Sequence, residues 1–150
     1  DLVQNIVRAP VTSIDAVGAP VFTDEIDIAD ARLRFADGCV ADVTASRISM
    51  KTERKLRIFQ ADAYLSVDLQ QKVLTRVQKG APAPAGELPQ VAIEERSFEP
   101  GDALRDEIAS FLHSITTGVR PAVSGEDGLR ALETAIRIGE LLGRPASPAG

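Results

Sequence analysis

The sequence predicts an α+β fold, a largely antiparallel, open-faced β-sheet of about six strands with two C-terminal helices covering one face. Two observations predict it. Short runs between residues 11 and 98 alternate apolar and polar side chains and are separated by turn residues, as half-buried strands do. Residues 102–142 change to the spacing of amphipathic helices. Helices that follow a run of strands typically cover the apolar face of the sheet.

The chain opens with a short helix and a first strand. Residues 1–7 carry apolar side chains at helical spacing, and Pro10 ends the helix because proline disfavours a helical residue before it. Residues 11–17 then alternate loosely, as a strand does. Because the chain starts without a methionine and already within a helix, we interpret it as a C-terminal piece of a longer protein. A short N-terminal helix is the alternative.

A central hairpin shows the clearest alternation. Residues 26–35 place apolar side chains on one face and polar side chains on the other, and residues 39–46 return in the same way. Asp37-Gly38 lies between them and favours a tight turn of the primed type, in which both positions adopt positive φ. The apolar face of the first strand carries Ala31, Leu33 and Phe35.

Further strands and two helices follow. Strands are predicted at residues 55–60, 64–69, 72–78 and 90–98. Residues 80–86 form a predicted Pro/Ala/Gly loop. Asp102 caps the first long helix and Gly118 ends it, while Ser124 and Asp127 form a capping pair for the second. The apolar stripes expected to face the sheet are Leu104, Ile108, Phe111, Leu112 and Ile115, then Leu129, Leu132, Ile136, Gly139 and Leu142.

Composition and charge exclude several classes of function. The 150 residues fit a single domain, 1–150, that buries roughly two-thirds of its unfolded surface. A net charge of −5 argues against nucleic-acid binding, which needs clustered Lys and Arg. No apolar run approaches the ~20 residues that span a bilayer, so no membrane partner is expected. A single cysteine, Cys39, favours a reducing, cytoplasmic setting.

Few residues offer metal or nucleophilic chemistry. Cys39 and His113 are single residues of their types and lie far apart, so we expect no metal site. We interpret His113 as a surface or partly buried helix residue and Cys39 as a small apolar filler. Residues 125–128 contain two glycines, but they begin a capped helix whose first-turn acids already satisfy its dipole. No catalytic residue is predicted in this chain.

One basic segment departs from the acidic composition. Its cations are Arg47, Lys51, Arg54, Lys55 and Arg57. Arginine presents a fork suited to phosphate or carboxylate, so an anion-recognising edge is one interpretation and a solvated hairpin of mixed charge is the other. Ser46, Arg47 and Lys51 are the predicted substrate-binding residues. Arg47 and Lys51 follow Ser46 at a strand end, where side chains can reach a neighbouring site, so we expect them to contact substrate or to position the loop that does.

The order of these elements resembles the C-terminal domain of the glucose–fructose oxidoreductase / inositol dehydrogenase / MocA (Gfo/Idh/MocA) family over nearly the whole chain. The segments that carry the resemblance are residues 27–38, 45–47, 54–59 and 120–132. The most specific is Pro-x-x-Ser-Gly-Glu-Asp-Gly, which leads into the last helix. Within the family, the chain is similar to a bacterial branch that acts on UDP-linked amino sugars.

The resemblance implies an NAD(P)-dependent oxidoreductase of sugars or sugar nucleotides, with NAD or NADP bound by an N-terminal Rossmann domain. Asp1 matches the last residue of the family's His-Asp-x-Asp segment, so the catalytic histidine would lie just upstream. The family's proton-transfer lysine and Rossmann glycine motif are also missing from this sequence. We therefore expect this chain alone to bind no cofactor and to be inactive.

The resemblance also implies that the open face of the sheet packs against another subunit. The polar face of the central hairpin fits this role, because opposite charges can pair across a twofold axis. The predicted oligomer interface consists of Arg32, Arg34, Asp42 and Thr44. A stand-alone α+β ligand-binding module and a purely structural dimerisation domain are the alternatives.

Overall fold

A computed structural model describes residues 1–80 and 90–143 of the chain. The described elements, in chain order, are α1 (Leu2–Val7), β1 (Val11–Ala19), β2 (Ile28–Phe35), β3 (Val40–Ser46), β4 (Lys55–Phe59), β5 (Ala63–Asp68), β6 (Val73–Lys79), β7 (Val91–Ser97), α2 (Ala103–Thr117) and α3 (Gly125–Leu142). Every helix and strand predicted from the sequence is found. The predicted loop at residues 80–86 lies, apart from Gly80, outside the described residues.

The strands form two antiparallel sheets, with orders β1-β2-β3 and β4-β5-β6-β7. The α+β class is confirmed. The sequence predicted one sheet of about six strands, whereas the structure divides the strands between two sheets, because alternation reveals the faces of a strand but not its neighbours. The chain has two compact units: residues 1–50 with the described residues from 107 onward, and residues 51–106. The single domain 1–150 stays a prediction.

The core of the first unit lies under β2. Ala31, Leu33 and Phe35 are buried, at 6, 4 and 3% exposure, as their alternation predicted. Helix α3 packs against β1 at Gly18, where a Cβ would lie 2.9 Å from Cδ2 of Leu142. The same Cβ would lie 2.9 Å from the backbone carbonyl oxygen of Ile28, so a larger residue at position 18 would force the backbones of β1 and β2 apart.

The turn of the central hairpin differs from the prediction. Gly38 has a φ of 88°, but Asp37 does not adopt positive φ, so the primed turn is wrong. Gly38 N–H donates to the carbonyl of Phe35 at 3.0 Å, and Phe35 N–H donates to that of Cys39 at 2.9 Å. This loop of three residues has its glycine in the left-handed region. Oδ1 of Asp37 accepts a hydrogen bond from Cys39 N–H and holds the turn.

The helix caps agree with the prediction. Oδ1 of Asp102 accepts a hydrogen bond from Arg105 N–H at 3.0 Å, and Gly118 has a φ of 70° after α2. Ser124 and Asp127 form a complete capping box at the start of α3. These side chains satisfy backbone groups that the helix itself leaves without partners.

The apolar stripes of the two long helices differ from the prediction. All five predicted residues of α2 are more than half exposed, from 52% at Ile108 to 66% at Leu104. In α3, Leu129, Leu132 and Ile136 are also more than half exposed. Leu142, the last residue of the predicted stripe, is only partly exposed, and so are Thr134 and Ile138, which the predicted stripe did not include. The less exposed face of α3 is therefore turned away from most of the predicted stripe.

The second unit is built around the four-stranded sheet. Gln60 N–H donates to the carbonyl of Ala63 at 2.8 Å, so β4 and β5 are joined by the short turn expected at residues 61–62. The rings of Phe59 and Tyr64 lie opposite each other with centroids 5.0 Å apart. Among the described residues, no helix has both the length and the apolar character needed to cross a membrane.

Candidate functional site

A buried carboxylate organises the loop between β1 and β2. The side chain of Asp27 has no exposed surface, and its Oδ2 accepts hydrogen bonds from the N–H groups of Val21, Phe22 and Thr23 at 2.9, 2.8 and 2.9 Å. Oδ1 accepts a further hydrogen bond from the Thr23 hydroxyl at 2.9 Å. These donors stabilise the charged form and hold the pKa of Asp27 well below its ordinary range. The loop is fixed while the Phe22 side chain stays 79% exposed.

Arg47, a predicted substrate-binding residue, is the ion-pair partner of that carboxylate. Its Nε lies 2.7 Å from Oδ1 of Asp27, and its Nη2 donates to the carbonyl of Ile26 at 2.8 Å. The backbone N–H of Arg47 also donates to the carbonyl of Asp27 at 3.0 Å. The arginine side chain nevertheless remains 53% exposed. Arg47 thus holds the loop on one side and presents positive charge to solvent on the other.

Ser46, a second predicted substrate-binding residue, stabilises the chain after β3. Its hydroxyl oxygen accepts hydrogen bonds from Ile48 N–H at 3.3 Å and from the Ser49 hydroxyl at 2.8 Å. Both contacts are local, within three residues. They shape the turn that follows Arg47, so Ser46 supports the position of its neighbour.

Lys51, the third predicted substrate-binding residue, belongs to the second unit, whereas Ser46 and Arg47 belong to the first. Its Nζ lies 3.0 Å from Oε1 of Glu53, which also lies 3.4 Å from Nζ of Lys55. The two lysines lower the pKa of Glu53, and Glu53 raises that of Lys51. The side chain of Lys51 is 77% exposed. This part of the basic segment is therefore a solvated network of mixed charge.

The predicted oligomer interface lies on the open face of the three-stranded sheet. Arg32 forms a bidentate ion pair with Asp42, with Nε–Oδ1 and Nη2–Oδ2 distances of 2.7 and 3.0 Å. The hydroxyl of Thr44 donates to Asp30 on the neighbouring strand. Arg32 lowers the pKa of Asp42, and Asp15 faces Arg32 from β1. We call this face, with Asp15, Asp30, Arg32, Asp42 and Thr44, the charged ladder. Its exposure agrees with the alternation of polar and apolar residues in the sequence.

Arg34 completes this face. It lies opposite Ser13 on β1 and Val40 on β3, and its charge also lowers the pKa of Asp42. No carboxylate of the described residues lies within 4.0 Å of its guanidinium group. Arg34 therefore offers a charge that a partner surface can neutralise.

An open groove of about 1020 Å³ lies within the first unit and was not predicted from the sequence. Residues of α1, the start of β1, the segment before α3 and α3 itself line it. Its charged residues are Arg8, Arg120, Arg130 and Arg137, with Asp127 and Glu133. We call it the arginine groove. Four arginines against two carboxylates make it a cationic surface in a chain of net charge −5.

The other reactive side chains lie apart from these surfaces. Cys39 is an exposed free thiol, so its interpretation as an apolar filler is wrong. It directly follows the hairpin turn and lies at the protein surface. His113 is exposed on α2, as expected. Within residues 1–80 and 90–143, no three His, Cys, Asp or Glu side chains are placed to hold a metal ion.

Comparison with known proteins gives a clear relative. No protein-family model matches the chain. The UDP-N-acetylglucosamine 3-dehydrogenase of Acidithiobacillus ferrooxidans is 33% identical over 138 residues, which cover 92% of this chain and 44% of that protein. The chain is a C-terminal-like part of a Gfo/Idh/MocA-type protein. The family resemblance found in the sequence is thus confirmed.

Solved structures agree with this Gfo/Idh/MocA-type assignment. The structure of that dehydrogenase, GnnA, superposes with a TM-score of 0.86 at 32% identity, covering 94% of this chain and 45% of GnnA. A levoglucosan dehydrogenase in complex with NADH and L-sorbose has a TM-score of 0.66 at 18% identity, covering 85% of this chain and 41% of that chain. At this identity, the second match shows the fold alone. The chain spans less than half the length of these relatives.

The described residues of this Gfo/Idh/MocA-type chain do not fit a dinucleotide. A glycine-rich turn at the start of a helix normally holds the pyrophosphate of NAD(P). In α3 that place is taken by the Ser124–Asp127 capping box, and Glu126 adds a second carboxylate in the first turn. Asp102 caps α2, and α1 has only six residues. We therefore assign no NAD(P)-binding role to the described residues.

Proposed function

We propose that this chain is the substrate-binding and oligomerisation part of an NAD(P)-dependent oxidoreductase that acts on a sugar or sugar nucleotide. The observation that carries the proposal is the 33% identity to a UDP-N-acetylglucosamine 3-dehydrogenase across 92% of the chain. NAD or NADP binds elsewhere in the complete protein, in a Rossmann domain, and the isolated chain is inactive. The single cysteine supports a reducing, cytoplasmic setting.

The substrate role rests on Arg47 and the loop that it holds. Asp27 fixes the backbone of residues 21–23, and Arg47 covers this carboxylate while leaving half of its own surface exposed. A guanidinium group in this position binds an anionic substrate group and keeps the adjacent loop in place. Ser46 supports the turn beside it, and Lys51 adds exposed positive charge. Arg47 is thus a substrate contact and also a positioning residue.

The oligomerisation role rests on the charged ladder of the three-stranded sheet. Arg32 and Asp42 satisfy each other, and Thr44 is bonded to Asp30, so the face is ordered before it meets a partner. Arg34 has no carboxylate partner in the described part of the first unit. Two copies of the face related by a twofold axis bring arginines of one copy towards carboxylates of the other.

Enzyme assays of the complete gene product test this proposal. We expect NAD(P)H to form with UDP-N-acetylglucosamine, and more slowly or not at all with N-acetylglucosamine that lacks the diphosphate. The isolated chain should form none. A gene product that neither binds nor reduces a nicotinamide cofactor would instead favour the stand-alone binding module. The comparison of the two sugars separates a sugar-nucleotide oxidoreductase from one that acts on simple sugars.

A further inference from the structure

We propose that Asp27 is a positioning residue for the substrate: it fixes the guanidinium group of Arg47 so that the terminal edge of that group binds two oxygens of a substrate phosphate. The terminal edge consists of Nη1 and the N–H of Nη2 that lies beside it. This inference rests on the proposed function, in which Arg47 contacts substrate. It adds the part of the substrate that is bound and the residue that aligns the contact.

The contacts of Arg47 show which side of its guanidinium group faces the protein. A guanidinium group carries its N–H donors in a planar fork. Nε lies 2.7 Å from Oδ1 of Asp27, and Nη2 donates to the carbonyl of Ile26 at 2.8 Å. The same two nitrogens of Arg32 hold Asp42. Because Nε and Nη2 of Arg47 are turned towards the loop and its side chain is still more than half exposed, we assign the terminal edge to the ligand.

Asp27 is suited to fix this group because it is itself held from several sides. Its side chain has no exposed surface, and its Oδ2 accepts hydrogen bonds from the three N–H groups of residues 21–23. The backbone is paired as well. Asp27 N–H donates to the carbonyl of Ala19, and Arg47 N–H donates to the carbonyl of Asp27, both at 3.0 Å. The ion pair is therefore fixed at its carboxylate and at the backbone of both residues.

A fixed guanidinium group binds an anion better than a mobile one. Arginine has several rotatable bonds, and a ligand that must immobilise them loses affinity. The Arg32–Asp42 pair shows the contrast, since both of its side chains are more than half exposed and can move together in solvent. Arg47 instead lies against a partner that cannot move. Its terminal edge is thus preorganised for a ligand with two oxygens in one plane.

The charge and geometry of Arg47 favour a phosphate over the hydroxyl groups of a sugar. Asp27 does not neutralise the guanidinium group alone, because the backbone N–H groups of residues 21–23 and the Thr23 hydroxyl also share the negative charge. Arg47 therefore keeps positive charge for a ligand. A phosphate offers this charge two oxygens and forms a bidentate contact, whereas a sugar hydroxyl is neutral and occupies one N–H.

Inhibition of the complete gene product by UDP and by uridine tests the inference, because only UDP carries phosphate. Asp27→Asn keeps the size of the side chain but removes its charge. It should raise the inhibition constant of UDP about tenfold and change that of uridine by less than about twofold, because only the contact to phosphate is misaligned. The KM for UDP-N-acetylglucosamine should rise as the UDP constant does, with a smaller change in kcat. A general loss of structure would weaken both inhibitors.

Glu126→Gln is the matched control. It also removes a carboxylate beside an arginine, but Glu126 and Arg120 are both exposed and lie 3.7 Å apart. Both inhibition constants should change by less than about twofold in this variant.

Arg47→Lys tests the bidentate contact without a change at Asp27. A lysine ammonium is a point charge that lacks a second edge, so UDP should bind at least about fivefold more weakly and uridine as before. This variant also decides the outcome if thermal unfolding shows that Asp27→Asn does not fold. The inference is wrong if either folded variant binds UDP as tightly as the unmodified enzyme, or if UDP and uridine are weakened equally. The proposed function would then still stand. A gene product that neither oxidises UDP-N-acetylglucosamine nor binds UDP would overturn the proposed function and this inference with it.

Discussion

Nε of Arg47 lies 2.7 Å from Oδ1 of Asp27, a carboxylate with no exposed surface. The pair continues the register of the β2–β3 hairpin, in which Ile28 faces Ser46. Three backbone N–H groups and a hydroxyl complete the coordination of the carboxylate. These partners offset the desolvation cost of burying the Asp27 charge, because each carboxylate oxygen is hydrogen-bonded.

Replacement of Asp27 should destabilise the chain strongly. Asp27→Ala leaves the N–H groups of residues 21–23 without an acceptor and removes the anion beside Arg47. We expect the Tm, measured by circular dichroism, to fall by roughly 10 °C. Asp42→Ala, which removes the exposed partner of Arg32, is the matched control and should change the Tm by no more than about 2 °C. Equal losses in the two variants would contradict a special role for the buried pair.

The Asp27–Arg47 pair shows how far the sequence could predict the site. Asp27 has the same period-two phase as Ala31, Leu33 and Phe35, so an acid was already placed on the buried face. Arg47 is likewise in phase with the inner face of β3. With the hairpin register known, their pairing follows from the sequence. Arg47 was predicted to contact substrate or to position the loop that does, but its pairing with Asp27 was not predicted.

The arginine groove and the division into two sheets could not be predicted in this way. Gln4 and Thr134, which join the walls of the groove, are 130 positions apart in the sequence. Periodicity gives the faces of α3 but not the side that meets β1. The predicted stripe is exposed at Leu132 and Ile136, whereas Thr134 and Ile138 lie on the less exposed face. Long-range packing decides such features, and a local pattern carries no information about it.

The acid stability of the chain should depend on Asp127. Hydrogen bonds from the backbone and hydroxyl of Ser124 lower the pKa of Asp127 to about 2, from an ordinary value of 3.8. Since the folded pKa lies below the unfolded value, this stabilisation is complete above pH 3.8 and is lost as the pH falls towards 2. Ser124→Ala should therefore raise the pKa of Asp127, measured by NMR titration, and make unfolding begin at higher pH. Ser114→Ala on α2, whose hydroxyl donates to a backbone carbonyl, should leave that pKa unchanged.

Self-association should depend on Arg34. Charge reversal in Arg34→Glu places a carboxylate beside Asp42 and removes the charge available to a partner, so we expect dimers or larger oligomers to dissociate in sedimentation experiments. Arg105→Glu makes the same charge change on α2 and should leave the oligomer intact. If the unmodified chain sediments as a monomer at high concentration, the charged ladder is only a solvated face.

The isolated chain should not bind NAD(H). At the start of α3 the Ser124 hydroxyl accepts a hydrogen bond from Asp127 N–H and the Asp127 carboxylate accepts one from Ser124 N–H, so a pyrophosphate would meet carboxylate there. We expect calorimetry to detect no binding of NAD(H) at micromolar concentration, whereas the complete gene product should bind it. Tight binding by the isolated chain would contradict its assignment as the part that does not hold the nucleotide.

In the complete enzyme, Arg47→Ala should raise the KM for the sugar substrate about ten- to a hundredfold, because one charge-assisted contact with an anionic group is lost. The kcat should change less, since a remote anionic group is bound similarly in the ground state and the transition state.

Arg47→Lys keeps the charge but cannot reproduce the geometry with Asp27 and Ile26. If Arg47 acts by contact alone, the lysine variant should recover most of the affinity; if it also positions the loop of residues 21–23, recovery should be partial. Lys51→Ala provides the comparison with an exposed cation that pairs only with Glu53. Unchanged kinetics in both alanine variants would show that the basic segment is a solvated hairpin.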